Sequence, residues 1–223
     1  MPGEHRTNLK AAKREVILGV LASGRGSNLE AILGAIDQGR LPALVGVVIS
    51  DQPAAYALER ARQRGIPAVT VLRSGFSSRR MFDAQIQRIL EGHRVELVVL
   101  AGFMRVLGEE FIQSYDGRIM NIHPSLLPSF PGREAQKQAF EYGVKVAGCT
   151  VHFVDAGTDT GPIILQAAVP VLEIDTPETL AERILREEHR IYPEAIKLYC
   201  QGRLQIEGRR VRISATGGER VGG

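Results

Sequence analysis

Short apolar runs alternate with longer amphipathic stretches along most of this chain. Val16-Ile17-Leu18-Gly19-Val20-Leu21-Ala22 is continuous and rich in β-branched residues, as a strand buried on both faces requires. Beyond the turn Ser23-Gly24-Arg25-Gly26-Ser27-Asn28, the residues Leu29, Ile32, Leu33 and Ile36 recur at helical spacing. Residues 43–50 predict a second buried strand ending at Asp51, and 54–64 a helix closed by Gly65 and Pro67. Residues 68–72 read as a short third strand. Residues 79–91 predict a helix with Met81, Phe82, Ile86, Ile89 and Leu90 on its apolar side. A fourth strand over 97–101 ends at 102–105, and a short helical connection leads to a strand ending at Asn121 and His123.

The second half continues with a helix over 134–142 and a strand pair over 148–155 and 163–171, with the loop 156–162 between them. Thr176, Pro177, Glu178 and Thr179 start a long helix that runs toward Cys200, with Pro193 as its expected break or kink. Residues 203–213 suggest a small terminal hairpin or edge strand. Alternating strands and helices predict an α/β fold with a single doubly wound, mostly parallel sheet. Ligands of such sheets bind beyond the carboxyl ends of the strands. The Gly-rich turn, residues 102–105 and the Asn121/His123 strand end are therefore expected to converge. The expected organisation is a disordered leader at 1–14, one domain over 15–207 and a short terminal segment at 208–223 with a disordered tail.

Composition narrows the function. The 223 residues are 44% hydrophobic and 24% charged, ordinary for a soluble domain. A net charge of +3 and 5% aromatics with no Trp argue against a nucleic-acid protein, which would carry a basic stripe with stacking rings. A small molecule bearing phosphate or carboxylate suits this mild charge. Cys149 and Cys200 make neither a disulfide framework nor a metal spacing, and read as buried thiols of a reducing compartment. No apolar run approaches a membrane span, and 1–14 lacks the apolar region of a signal peptide. A cytoplasmic location is expected.

The chemistry concentrates at Ile119-Met120-Asn121-Ile122-His123-Pro124-Ser125-Leu126-Leu127-Pro128-Ser129-Phe130-Pro131-Gly132. Residues i and i+2 of an extended segment share a face, so one amide and one imidazole emerge side by side. Pro124 ends the strand, and Pro128 and Pro131 stiffen the loop. Such a pair can polarise a carbonyl and handle a proton, which acyl transfer requires, although a strand-end His also serves purely structural roles. No Ser or Cys sits in a nucleophile elbow, which favours direct transfer over a covalent enzyme intermediate. Gly24-Arg25-Gly26-Ser27-Asn28 opens a helix whose end attracts an anion. Leu29 stands where a dinucleotide fingerprint needs its third glycine, and no P-loop Lys follows, so a small phosphate ester fits best. Asp159 either shapes its Gly-flanked turn or folds back toward His123. Phe103 and Met104 either pack in the core or line a slot for a ring system. Arg79 and Arg80 read as a solvated pair at a helix start, and His152 as a structural histidine within a strand.

The chain resembles the folate-dependent glycinamide ribonucleotide formyltransferases over about residues 16–204. The resemblance rests on Ser23-Gly24-Arg25-Gly26-Ser27-Asn28-Leu29, Leu100-Ala101-Gly102-Phe103-Met104-Arg105, Asn121-Ile122-His123-Pro124-Ser125-Leu126-Leu127-Pro128 and Asp159-Thr160-Gly161-Pro162. It implies a Rossmann-like fold and transfer of the formyl group of 10-formyltetrahydrofolate to the amine of 5-phosphoribosylglycinamide, in purine biosynthesis and without a metal. It also implies catalytic roles for Asn121, His123 and Asp159. Gly26, Ser27, Asn28 and Glu188 would contact the ribonucleotide, and Arg79, Met104, Arg105, Val106, Leu107 and Asn121 the folate. Small-molecule substrates, no nucleic acid or membrane partner, and a monomer or homodimer are expected.

The chain departs from the family pattern at Asp159-Thr160-Gly161, often Asp-Gly-Gly, and at Arg133-Glu134-Ala135-Gln136, which lacks a His-rich variant. The main rival on the same fold is hydrolysis of the formyl folate by water. Formyl transfer to an aminoacyl-tRNA or amino sugar would need a further domain, and a nucleotide-sensing module would leave Asn121, His123 and Asp159 without a shared purpose.

Overall fold

The computed structural model describes residues 15–216, so the expected leader at 1–14 and the last seven residues of the expected tail lie outside the described residues. Strand β1 (Val16–Leu21) pairs in parallel with β2 (Ala43–Ser50) on one side and β4 (Leu97–Leu100) on the other. β2 continues in parallel to β3 (Ala68–Thr70), and β4 to β5 (Ile119–His123). The chain winds from β1 to one edge and then back across to the other. The winding reverses between β1 and β4, the position at which open α/β sheets leave a crevice beyond their strand ends.

β6 (Val146–Phe153) and β7 (Ile163–Pro170) add to β5 as antiparallel neighbours. A terminal hairpin of β8 (Leu204–Glu207) and β9 (Arg210–Ile213) completes the order β3-β2-β1-β4-β5-β6-β7-β9-β8. β9 meets β7 through the single parallel pair Ile163 and Arg210. The sheet therefore runs past residue 207, where the domain was expected to end.

Alternation along the strands divides the interior into two cores. Val16, Leu18 and Val20 of β1, with Leu97 and Val99 of β4, face α1 (Ser27–Asp37), α2 (Tyr56–Gln63) and α6 (Pro177–Cys200). Leu21, Val98 and Leu100 face α3 (Arg79–Gly92) and α4 (Glu109–Ser114). Gly19 admits α3 to this second face, because a Cβ there would meet Leu90 Cδ2 at 2.3 Å. The remaining helix, α5 (Ala135–Tyr142), follows the proline-rich loop. On α3 the buried stripe is Phe82, Ile86 and Leu90, spaced by four. Met81, expected on the apolar side, is instead 54% exposed, since one residue along a helix turns a side chain by about 100° off the stripe.

The third strand ends at Thr70, before the expected residue 72, because a 3₁₀ turn at Arg73–Gly75 follows closely. β6 begins and ends two residues earlier than expected. α6 runs unbroken for 24 residues through Pro193, so of the expected break or kink the break is corrected. Its proline removes one ladder donor, but Leu180, Ile184, Ile191, Tyr192 and Ile196 are buried on the sheet. Each such side chain contributes about 1.5–3 kcal/mol by burial, so packing outweighs the lost bond. The start of α6 is capped reciprocally by Thr176 and Thr179, with Pro177 in the first turn.

The fully buried Tyr192 hydroxyl lies 3.0 Å from the Leu100 carbonyl and 2.9 Å from the Met120 carbonyl, tying α6 to the ends of β4 and β5. Tyr192→Phe is expected to lower the unfolding free energy by about 1–2 kcal/mol, measured by urea denaturation, because these carbonyls lose a donor that water cannot replace. An unchanged midpoint would show that the hydroxyl contributes nothing to this junction.

Candidate active site

β5 delivers Asn121 and His123 to one place, as period-two geometry requires, and both reach the carboxyl of Asp159. His123 Nδ1 lies 3.3 Å from Asp159 Oδ2, and Asn121 Nδ2 lies 3.4 Å from Asp159 Oδ1. The loop 156–162 therefore folds back over the end of β5, which resolves the two readings of Asp159. Its backbone holds φ = 54°, in the left-handed region. Asp155 Oδ1 accepts from Gly157 N at 3.1 Å and Thr160 Oγ at 2.6 Å, closing the loop on itself. Gly161 permits the close return, because a Cβ there would overlap the Phe153 carbonyl oxygen at 1.8 Å.

The proline-rich loop encloses the other side of the imidazole. His123 Nε2 meets the Phe130 carbonyl at 2.8 Å, and Gly132 N–H donates to Asp159 Oδ2 at 2.8 Å. Both ring nitrogens of this histidine thus face oxygens. The loop is itself anchored: Thr150 Oγ donates to the Ser125 carbonyl at 2.7 Å and accepts from Leu127 N at 3.1 Å. Ser125 Oγ donates to the Ser129 carbonyl at 2.6 Å, and the Leu127–Pro128 peptide is cis. Ser125, Thr150 and His123 are all buried.

His152 belongs to this cluster, which goes beyond the structural role expected from its place in a strand. Antiparallel pairing sets it opposite Asn121. Its Nδ1 lies 2.7 Å from the Phe153 carbonyl, so in the neutral ring this nitrogen carries the hydrogen and Nε2 accepts from Asn121 Nδ2 at 3.2 Å. The contact fixes which end of the Asn121 amide faces Asp159. One signal in the sequence points to it. Cys149, Val151 and Phe153 enter the core, which leaves Thr150 and His152 as polar side chains on the opposite, equally buried face.

Burial alone would raise the Asp159 carboxyl. The nearby His152 and His123 rings and the Gly132 amide outweigh burial and hold it below the ordinary carboxylate range. Asp159 is therefore the anionic centre of the cluster.

The Gly-rich turn lies at the end of β1, separated from β5 by β4. Gly26 caps α1 at φ = 70°, and a Cβ there would meet the Ala57 backbone at 2.8 Å. The helical ladder begins with Glu30 N to Gly26 O, which leaves the amides of Ser27, Asn28 and Leu29 ahead of it at the positive end of the dipole. Asn28 Nδ2 donates to Glu188 Oε2 at 2.8 Å, while its Oδ1 is buried without a partner. Burial pushes the Glu188 carboxyl above its ordinary range, and the Asn28 hydrogen bond only partly opposes this.

The expected convergence with residues 102–105 is present. Ser23 N–H donates to the Gly102 carbonyl at 3.0 Å, and Met104 N–H donates to Ser23 Oγ at 2.9 Å. Met104 and Val106 are 58% and 66% exposed, so Met104 is not core packing. Phe103 is partly buried, and Leu107 lies within the second core. Arg79 stands apart on the exposed first turn of α3. It lines a cleft of about 380 Å³ with Asp83, Gly108 and Glu109, and none of Asn121, His123 and Asp159 lines that cleft. Arg80 is also exposed and pairs with Glu110 at 2.9 Å.

A formyl transferase family model matches residues 17–196. The chain is 47% identical over 178 residues to the phosphoribosylglycinamide formyltransferase of Bacillus subtilis (strain 168), covering 80% of this chain and 91% of that protein. It is also 47% identical over 199 residues to the trifunctional purine biosynthetic protein adenosine-3 of Drosophila melanogaster. That match covers 88% of this chain, but the chain spans only 15% of the longer protein. The crystal structure of glycinamide ribonucleotide transformylase 1 from Symbiobacterium toebii superposes with a TM-score of 0.88 at 60% identity, covering 90% of this chain and 94% of that one.

The two acids of this region titrate with opposite sign. Asp159, lowered from an ordinary 3.8, contributes stability that is present above that value and lost as pH falls through its folded value. The unfolding free-energy gap between wild type and Asp159→Asn is therefore expected to be largest near neutrality and to narrow below about pH 4. Glu188, raised from 4.5, favours the folded state at low pH and loses that contribution as pH rises through its folded value. Glu188→Gln is expected to gain on wild type as pH increases above about 4.5. Urea denaturation across pH 3–8 checks both, and parallel curves for either pair would remove that acid from the linkage.

Proposed function

The chain belongs to the formyl transferase family, and we propose that it transfers the formyl group of 10-formyltetrahydrofolate to the amine of 5-phosphoribosylglycinamide, in de novo purine biosynthesis. The products are the formylated ribonucleotide and tetrahydrofolate. The observation that carries this reading is the gathering of Asn121, His123 and His152 around the single carboxylate of Asp159. An amide donor, an imidazole and an anion at one strand end are the parts that amine attack on a formyl carbonyl needs.

The amine attacks as the free base. Its nitrogen forms a bond to the formyl carbon while the carbonyl electron pair moves to oxygen. Asn121 stabilises that oxyanion. Its contact with Asp159 is long at 3.4 Å, so this N–H is the one given up to the oxyanion, while His152 keeps the other at 3.2 Å. The amine then loses a proton and the folate nitrogen gains one, whereupon the bond between that nitrogen and the formyl carbon breaks. His123 passes this proton and stabilises the intermediate, and the Asp159 charge favours the cationic ring while it does so. Asp159 lies within reach of both partners and can also hold a relay water. No atom of the protein enters a covalent intermediate.

The ribonucleotide phosphate is taken by the amides of Gly26, Ser27 and Asn28 ahead of the α1 ladder, and Glu188 meets the ribose. Its carboxyl is held in place by the Asn28 amide. The folate ring lies against Met104, Arg105, Val106 and Leu107, where two exposed apolar side chains gain from being covered. Asn121 borders this site too, and Arg79 meets the outer part of the folate.

Folate product formation from 10-formyltetrahydrofolate, with and without 5-phosphoribosylglycinamide, tests the reading. Product that depends on the amine is expected, equal production without it would indicate hydrolysis by water, and no production by folded protein would sink the enzymatic reading. His123→Ala and Asp159→Asn are each expected to lower turnover by about 10²–10⁴-fold while the circular dichroism spectrum is kept. Near-normal turnover would remove that residue from the catalytic set.

A further inference from the structure

Phe103 and Leu107 pack toward the second core, but the apolar side chains of Met104 and Val106 between and beside them are exposed, so core burial alone does not set the path of the strip that carries them. Two carboxylates hold it as well, each on a residue only 4% exposed: Asp51, just beyond β2, and Asp83 on α3. Asp51 Oδ2 accepts Arg105 Nε–H at 2.7 Å, and Asp51 Oδ1 accepts Ser23 Oγ–H at 2.6 Å. That same Ser23 oxygen receives the Met104 N–H. Gln52 Nε2 adds a further donor to Asp51 Oδ2 at 3.1 Å. At the other end of the segment, Asp83 Oδ2 accepts Gly108 N–H at 2.7 Å. The fit there is close, since a Cβ on Gly108 would lie 2.8 Å from that oxygen.

We propose that Asp51 and Asp83 are positioning residues for the folate, clamping residues 102–108 at two points so that the exposed Met104–Val106 strip holds the shape that receives the ring. This inference rests on the reading of that strip as the folate site. Surface stability does not explain the clamp. The Arg105 side chain is 43% exposed, and an ion pair with one exposed partner adds little to folding. What the pair does is hold a solvent-facing chain in one conformation, which water would otherwise free. A buried acceptor enforces this, because a donor that leaves it finds no replacement and the carboxylate is left unpaired.

The two acids differ in what they need, and this supplies the test. Asp51 uses both oxygens for separate donors, so Asp51→Asn turns an NH₂ group toward one of them and breaks the clamp. Asp83 uses one oxygen, its Oδ1 being buried without a partner, so Asp83→Asn keeps the bond to Gly108 whereas Asp83→Ala removes it. In the full chain, Asp51→Asn and Asp83→Ala are expected to raise KM for 10-formyltetrahydrofolate by about tenfold or more. KM for 5-phosphoribosylglycinamide should stay within about twofold, and Asp83→Asn should remain near wild type. Amide hydrogen exchange at Met104 in the first variant, and at Gly108 in the second, should quicken by about tenfold while amides of β1 hold their protection.

Equal rises in both KM values, an unchanged folate KM, or loss in Asp83→Asn equal to that in Asp83→Ala would overturn the proposal. Ser23→Ala removes one hydroxyl of the same relay and provides the measurement if either acid variant fails to fold. Wild-type protein that makes no folate product would instead defeat the functional reading. The exchange data would then judge the clamp alone, and unchanged exchange would overturn it.

Discussion

β5 hydrogen-bonds in parallel with β4 along one edge and antiparallel with β6 along the other, and the site depends on that change of sense. A parallel neighbour brings the strand end to the crevice shared with β1. An antiparallel neighbour sets His152 directly across from Asn121 and sends the chain out through the loop that carries Asp159. β6 pairs antiparallel with β7 as well, so the loop 156–162 is a short hairpin connection, whereas a parallel β7 would require a long crossover and the tight fold-back over His123 would be lost. Register matters as much as direction. A slip of one residue in β5 would turn Asn121 and His123 into the core and send Ile122 out to Asp159.

Four buried or half-buried carboxyls hold the segments described above, and they divide by the direction in which their surroundings move them. Asp159 and Asp51 are driven up by desolvation, yet each gathers enough donors to finish below its ordinary range. Asp83 and Glu188 each hold one hydrogen bond, and burial wins, leaving both raised. Desolvation pushes all four up, and the sign depends on whether the donors and charges around each outweigh it. Of the two lowered acids, Asp159 sits beside two imidazoles, and of the two raised ones, Glu188 sits beside the Gly-rich turn.

Local patterns in the sequence were enough for the architecture. Continuous β-branched runs mark strands covered on both faces, and the period-two spacing of Asn121 and His123 is a property of extended backbone wherever it occurs. Motifs shared with a known family carried the pairing of Asp159 with His123, which spacing alone left open. Sequence missed what distance along the chain conceals. His152 reads as an ordinary strand histidine until β6 is known to pair with β5, and no local signal states that register. The exposure of Met81 and the absence of a break at Pro193 have another cause. Each residue was judged on an intrinsic preference, the hydrophobicity of one and the helix-breaking of the other, and tertiary packing overrode both.

The amide of Asn121 shows how a resting arrangement bears on the chemistry. Its nitrogen has two hydrogens, and one is held by His152 in a bond whose partner is itself fixed to the Phe153 carbonyl. The other leans on Asp159 across a longer distance. A group with both hydrogens free would need to be ordered when charge develops, at an entropic cost to the barrier. A group with both hydrogens firmly bound would have to break a strong contact first. In the proposed transfer this asymmetry would avoid both costs, because the short bond orients the amide and the long one would be surrendered cheaply to a stronger, charged acceptor. Asp159 then keeps the Gly132 amide and His123, so the anion that releases Asn121 is not left unpaired.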